Sequence, residues 1–275
     1  MKPPVLFIHG AFCGPWSLEG LQKKFEKAGY PCKAPALRFH DQARAPAALG
    51  TTGLADYAAD LQHVISALKK PPILVGHSMG GLLAQQLAAR VKVAALVLLA
   101  PSAPWGVPPT TLFEIGAAQA MHLQPGYWNM VLEPSRDVAL AHSLDKLPRH
   151  MREDVLSSLV SESGRATFEI MSWGMDLNHA SAVDADAVRA PLLFLTGSDD
   201  RINPPSTMAR IAALYGGRAT AEVLDGMGHW LIEGISTQDT NVTATVTLFV
   251  AVCVLFSGWL ADVLYAALDP RIRVN

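Results

Sequence analysis

Ile73-Leu74-Val75-Gly76-His77-Ser78-Met79-Gly80-Gly81-Leu82-Leu83-Ala84 is the stretch on which the reading of this chain turns. Three apolar residues lead into a G-x-S-x-G sequence, and a run of helix-forming residues leaves it, so the serine stands at a strand-to-helix turn. Glycines there remove side chains that would collide with neighbouring backbone. The serine hydroxyl is then presented at the carboxyl edge of a sheet, at the positive end of the next helix. A glycine-rich turn with an incidental serine reads the same in isolation, so the stretch needs partners elsewhere in the chain.

A serine hydroxyl is a weak nucleophile at neutral pH and needs a base within hydrogen-bond reach, itself held by a third group. His229, in Gly226-Met227-Gly228-His229-Trp230, is the candidate base. Asp200, in Thr196-Gly197-Ser198-Asp199-Asp200-Arg201-Ile202-Asn203-Pro204, is the candidate acid, with the adjacent Asp199 as the alternative, since either carboxylate would also serve as a helix cap. A tetrahedral intermediate needs backbone donors as well. The amide of Met79 supplies one, and the turn His9-Gly10-Ala11-Phe12 after the first apolar run supplies the other, from Ala11 first or else from Phe12.

Working outward, short apolar runs at 4–8, 31–34, 72–76, 94–99, 191–196 and 220–224 read as strands buried on both faces of a parallel sheet. Residues 17–28, 54–69, 81–90 and 205–214 carry apolar positions at helical spacing and fit as crossover helices. The stretch 105–189 breaks the rhythm. It has no apolar strand run, scatters Trp, Tyr, Phe and Met among polar residues, and is bracketed by Pro101, Pro104, Pro108 and Pro109 at entry and Pro191 at exit. It reads as a helical insertion, leaving 1–104 and 190–235 as the core.

The whole chain has 275 residues, half of them hydrophobic, enough for one sizeable core. Lys and Arg total 22 against 24 for Asp and Glu, which leaves no electrostatic footprint for nucleic acid. Cys13, Cys32 and Cys253 are odd in number and far apart, so reduced thiols in a cytoplasmic protein are expected. His122, His142, His150 and His179 do not fall at a metal-binding spacing.

These motifs carry a resemblance. From about residue 4 to residue 234 the chain resembles the α/β-hydrolase superfamily, through His9-Gly10-Ala11, Gly76-His77-Ser78-Met79-Gly80-Gly81, Gly197-Ser198-Asp199-Asp200-Arg201 and Gly228-His229-Trp230. The resemblance implies an α/β fold with an open, mostly parallel sheet of about six strands, two leading strands of the full superfamily sheet being absent, and a helical cap after the fourth strand. It implies Ser78 as nucleophile, His229 as base, and Asp200, directly before Arg201, as acid. It also implies no metal and no organic cofactor. The activity expected is hydrolysis of a small to medium hydrophobic carboxylic ester through an acyl-enzyme. A lactonase, carbon–carbon bond hydrolase or perhydrolase would need the same triad, and a non-catalytic ligand-binding or tail-mediated interaction protein is the rival of another class.

Phe12, His77 and Trp230 beside the reactive groups, with Trp105, Phe113, Trp128 and Trp173 from the cap, form the expected substrate-binding set; Met121, Tyr127 and Met175 are further apolar candidates. More than half of the cap residues are expected to form the cap's own core instead. Beyond Gly234 the pattern changes. Residues 236–273, ending Asp269-Pro270-Arg271-Ile272-Arg273, resemble the end of a dipeptide or oligopeptide ABC-transporter permease, so a fusion or rearrangement is inferred for 236–275. No charge falls between 242 and 261, long enough to span a bilayer. Membrane association or self-association through 242–268 is therefore expected of an otherwise cytoplasmic protein, the helix either anchoring in a bilayer or folding back as a substitute final helix.

Overall fold

The computed structural model describes residues 2–232. Strands β1 (Val5–Ile8), β2 (Cys32–Lys33), β3 (Ile73–His77), β4 (Ala95–Leu99), β7 (Leu192–Gly197) and β8 (Ala219–Leu224) form one six-stranded sheet in the order β2-β1-β3-β4-β7-β8. Every pairing in it is parallel. Helices α1 (Glu19–Lys27), α2 (Leu54–Ser66), α3 (Met79–Arg90) and α8 (Pro205–Ala213) make the crossovers. Between β4 and β7 the chain forms α4 (Leu112–Met121), β5 (Val131–Leu132), α5 (Arg136–Val138), α6 (Arg149–Ser158), β6 (Glu162–Ser163) and α7 (Gly164–Met171).

The period of two decides the layers. Leu6, Ile8, Leu74, Leu96, Leu98, Leu192 and Phe194 pack on one face with α2, α3 and α8 residues such as Leu61, Leu83 and Ile211. Their neighbours Val5, Phe7, Ile73, Val75, Val97, Leu193 and Leu195 pack on the other with Leu21 and Phe25 of α1. Burying both faces is what makes these strands continuous apolar runs. Because α1 leaves β1 on one face and α3 leaves β3 on the other, a crevice opens at the carboxyl ends of these two neighbours, the switch point of the sheet. α3 comes close enough that a Cβ on Gly80 would collide with the Ile8 and His9 carbonyls, which is why a glycine follows Ser78 by two positions.

Two expectations need correction. The 31–34 run is paired only over Cys32–Lys33, since Pro31 and Pro35 lack the amide hydrogens that would extend this edge strand. The insertion is not purely helical: Val131–Leu132 and Glu162–Ser163 pair antiparallel, too briefly to leave a periodic signal. Among the described residues no helix is long and apolar enough to cross a membrane. The expected apolar helix of 236–275 lies outside them.

Candidate active site

Ser78 has φ 52 and ψ −120, a conformation that L-residues avoid, and four backbone bonds hold it there. Its amide donates to the Leu99 carbonyl at 2.9 Å, and its carbonyl accepts from Gly81 at 2.9 Å, Ser102 at 3.0 Å and Leu82 at 3.3 Å. The turn is thus pinned to β4 on one side and to the first turn of α3 on the other.

The loops after β7 and β8 bring the other two groups. His229 Nε2 lies 3.1 Å from Ser78 Oγ, and His229 Nδ1 lies 2.9 Å from Asp200 Oδ2. The second Asp200 oxygen accepts from the Ile202 and Asn203 amides at 2.8 and 2.9 Å, so both carboxylate oxygens are occupied and the group cannot rotate away. Since the carboxylate only accepts, Nδ1 carries the hydrogen, and Nε2 is free to take a proton from Ser78. Asp199 points elsewhere: it is exposed and pairs with Lys146 of the insertion at 2.5 Å. A Cβ on Gly197 would strike the Met227 carbonyl, so glycine at the end of β7 is what lets the aspartate loop and the histidine loop touch.

Among the described residues nothing accepts from the amides of Ala11 and Met79; Met79 follows Ser78 directly, and Gly10, which precedes Ala11, packs so close that a Cβ on it would lie 3.1 Å from the Ser78 Cβ. The Phe12 amide is different, because it donates to Glu162 Oε2 at 3.2 Å. Of the two amides, that of Phe12 is taken up by Glu162 and that of Ala11 has no acceptor among the described residues.

His77 was expected to line the pocket, and its position is a correction. The ring is buried, its Nε2 donates to the His229 carbonyl at 3.0 Å, and it rests against the rings of His229 and Trp230. It holds the histidine loop from behind. Burial first, and the neighbouring His229 ring next, pushes its pKa down to about 3, partly opposed by the bond to the His229 carbonyl, so it is neutral. His9 was not singled out from the sequence. Its Nδ1 donates to the Gly10 carbonyl at 2.9 Å and its Nε2 accepts from the Leu37 amide at 3.0 Å, which orients the peptide that carries the Ala11 amide. Burial, reinforced by the charge of His40, lowers it to about 4.

Trp230 stacks on Trp16 with centroids 5.9 Å apart, and its amide donates to Ser143 of the insertion at 3.2 Å. Leu144 and Leu147 pack in the same cluster with Trp230 and Cys13. Ser78 keeps only 9% of its surface exposed, so access to it is narrow. Trp105 packs on Trp173 and His179, and Phe113 on His142. Trp128 packs with Tyr127, His122 and Phe168, contacts that place its ring in the insertion's own interior.

Comparison with known proteins bears on this arrangement. The model of the Alpha/beta hydrolase family matches residues 5–239. The sn-1-specific diacylglycerol lipase ABHD11 of Mus musculus is 25% identical over 244 residues, 83% of this chain and 76% of that protein. Among solved structures, a thermophilic esterase from Thermogutta terrifontis superposes with TM-score 0.66 at 19% identity, covering 92% of this chain and 91% of that one. The methylesterase MES16 from Arabidopsis gives 0.67 at 16%, covering 90% and 98%. A monoacylglycerol lipase of Paleococcus ferrophilus gives 0.63 at 21%, covering 92% and 95%. At these identities the likeness speaks for the fold.

A second family model, binding-protein-dependent transport system inner membrane component, matches residues 205–274. The oligopeptide transport system permease protein OppB of Mycobacterium tuberculosis is 60% identical over 50 residues, 18% of this chain, and the chain spans only 15% of that permease. The two family matches overlap over 205–239, where the described residues form α8, β8 and the loop of His229.

Proposed function

Since the chain belongs to the Alpha/beta hydrolase family, we propose that it is a serine hydrolase that cleaves a small to medium hydrophobic carboxylic ester. The single observation carrying this is the unbroken hydrogen-bonded chain from Ser78 through His229 to Asp200. In this reading His229 Nε2 takes the Ser78 proton as Oγ attacks the ester carbonyl carbon. The carbonyl oxygen becomes an oxyanion on the Ala11 and Met79 amides. Collapse expels the alcohol, which receives its proton from His229, and leaves an acyl group on Ser78. A water molecule, deprotonated by the same imidazole, then releases the acid.

The insertion acts as a cap in this proposal, because its backbone bonds to both the Phe12 and the Trp230 segments that flank the serine. Trp105, Phe113, Trp173 and Trp230 are offered as apolar surface for the substrate. That relatives of the fold include esterases and lipases favours an ester over other acyl compounds. Free thiols at Cys13 and Cys32 fit a cytoplasmic location. Hydrolysis of acyl esters from two to twelve carbons by the wild type and by Ser78→Ala tests the reading. Turnover of the shorter esters that vanishes in the variant is expected, and equal turnover by both proteins would refute it.

A further inference from the structure

Outside the triad the molecule buries a second set of ionisable groups. Glu162, in β6 of the insertion, has no solvent exposure, and its carboxylate receives four donors. Oε2 accepts from the Phe12 amide at 3.2 Å and from His40 Nε2 at 3.0 Å. Oε1 accepts from the Tyr57 hydroxyl at 2.8 Å and the Ser163 amide at 2.7 Å. The remaining His40 nitrogen, Nδ1, lies 3.0 Å from the Arg38 carbonyl. Both ring nitrogens thus face acceptors, and only an imidazolium satisfies both. Burial alone would push His40 down and Glu162 up, but their pairing outweighs it in each case, holding His40 above and Glu162 below the ordinary range.

We propose that Glu162 is a positioning residue of the oxyanion hole, which the insertion completes by gripping Phe12 at both of its backbone groups. The Val160 amide donates to the Phe12 carbonyl at 3.0 Å while Glu162 takes the Phe12 amide. Phe12 has φ 59, in the left-handed region that a non-glycine side chain resists, so its conformation needs such a restraint. Two successive peptide planes are then fixed. His9 holds the Gly10–Ala11 plane, which carries the amide assigned to the oxyanion, and Glu162 holds the Ala11–Phe12 plane next to it. The same contact keeps the Phe12 amide away from the substrate. A bare carboxylate so near would oppose a developing oxyanion, and the proton on His40 cancels it.

This inference rests on the serine-hydrolase reading above. Phosphonate labelling of the wild type tests that reading separately, because absence of labelling would remove the reading and with it the hole. In Glu162→Gln, one end of the side chain becomes an NH2 group facing donors, and the charge balance with His40 is lost. Normalised to sites titrated by the phosphonate, kcat should fall about 10- to 100-fold, with KM within about threefold. A boronic acid that forms a tetrahedral adduct should weaken by the same factor as kcat, while a product alcohol binds as before. Unchanged kcat and boronate affinity would overturn the proposal. So would parallel weakening of the alcohol, since Glu162 would then shape the pocket. Should the variant not fold, a crystal structure of the phosphonylated wild type decides instead. The phosphonyl oxygen is expected on the Ala11 and Met79 amides, with Phe12 still bonded to Glu162, and an oxygen bonded to the Phe12 amide would refute the proposal.

Discussion

Replacing Asp200 by Asn separates shape from proton placement in this site. The two backbone amides of Ile202 and Asn203 require an oxygen, so they keep Asn Oδ1 and turn the NH2 group toward His229. His229 Nδ1, now 2.9 Å from a donor, becomes the acceptor, and the ring hydrogen moves to Nε2. There it points at Ser78 Oγ, 3.1 Å away, and the imidazole can no longer take the serine proton. Loss of the correct tautomer with geometry intact costs about 10,000-fold in kcat where the same constellation has been tested. At 1.36 kcal/mol per tenfold, that is about 5 kcal/mol of transition-state stabilisation. Stability should move by no more than about 1 kcal/mol, since every bond keeps a partner. The assay is kcat per folded molecule on a short-chain nitrophenyl ester, beside a thermal melt. Asp199→Asn is the control: its pair with Lys146 is nearly half-exposed on both sides and screened by solvent, so its loss should leave turnover and the melt essentially unchanged. A Asp200→Asn protein within tenfold of wild-type turnover would refute the tautomer argument, as would equal losses in the two variants.

Three further outcomes follow from the packing around the site. Gly197→Ala drives a methyl into the Met227 backbone and should destabilise the fold by about 2 kcal/mol or more, with a matching loss of activity as the His229 loop shifts; an unchanged melting temperature counts against the contact. His9 and His77, lowered to about 4 and about 3 chiefly by burial, are neutral in the fold and protonated in the unfolded chain below about pH 6.5. Unfolding therefore takes up protons, and stability should fall as pH drops from 6.5 toward 4, by up to about 1.4 kcal/mol per pH unit for each ring. His40, raised by Glu162, has the opposite sign, its contribution being complete below pH 6.5 and lost as pH rises through its folded value. Melting temperatures constant from pH 7 to 5 would contradict this, and His77→Gln should flatten the slope. Cys13 is buried and its thiol is pushed up to about 12, mainly by burial and further by Glu162, so hydrolysis should survive iodoacetamide at pH 7; alkylation of Cys13 within minutes, read by peptide mass spectrometry, would show the pocket to be open.

The parts of this molecule that are legible in its sequence are those governed by local pattern. Val5–Ile8, Ile73–His77, Ala95–Leu99 and Leu192–Gly197 are buried on both faces, so each stands out as an apolar run. The two-residue strands Cys32–Lys33, Val131–Leu132 and Glu162–Ser163 are too short to show any period. Ser78 and His229 sit in glycine-flanked turns whose backbone demands are written locally. The choice between Asp199 and Asp200 is not local, because it depends on which carboxylate faces an imidazole 29 positions further along. The choice between Ala11 and Phe12 is less local still: a carboxylate 150 residues away takes the Phe12 amide, and nothing around Glu162 in the sequence announces it. His77 reads as a pocket residue beside the serine, yet its place at the end of β3 turns the ring inward under Trp230.

The account stands on Ser78 carrying the acyl group, and the direct test is to acid-quench a single turnover of a medium-chain ester and map the adduct by peptide mass spectrometry. An acyl mass on the peptide containing Ser78, absent from Ser78→Ala, is the predicted result. Product formed at the wild-type rate with no acyl mass on that peptide, or with the acyl group on another residue, would contradict it.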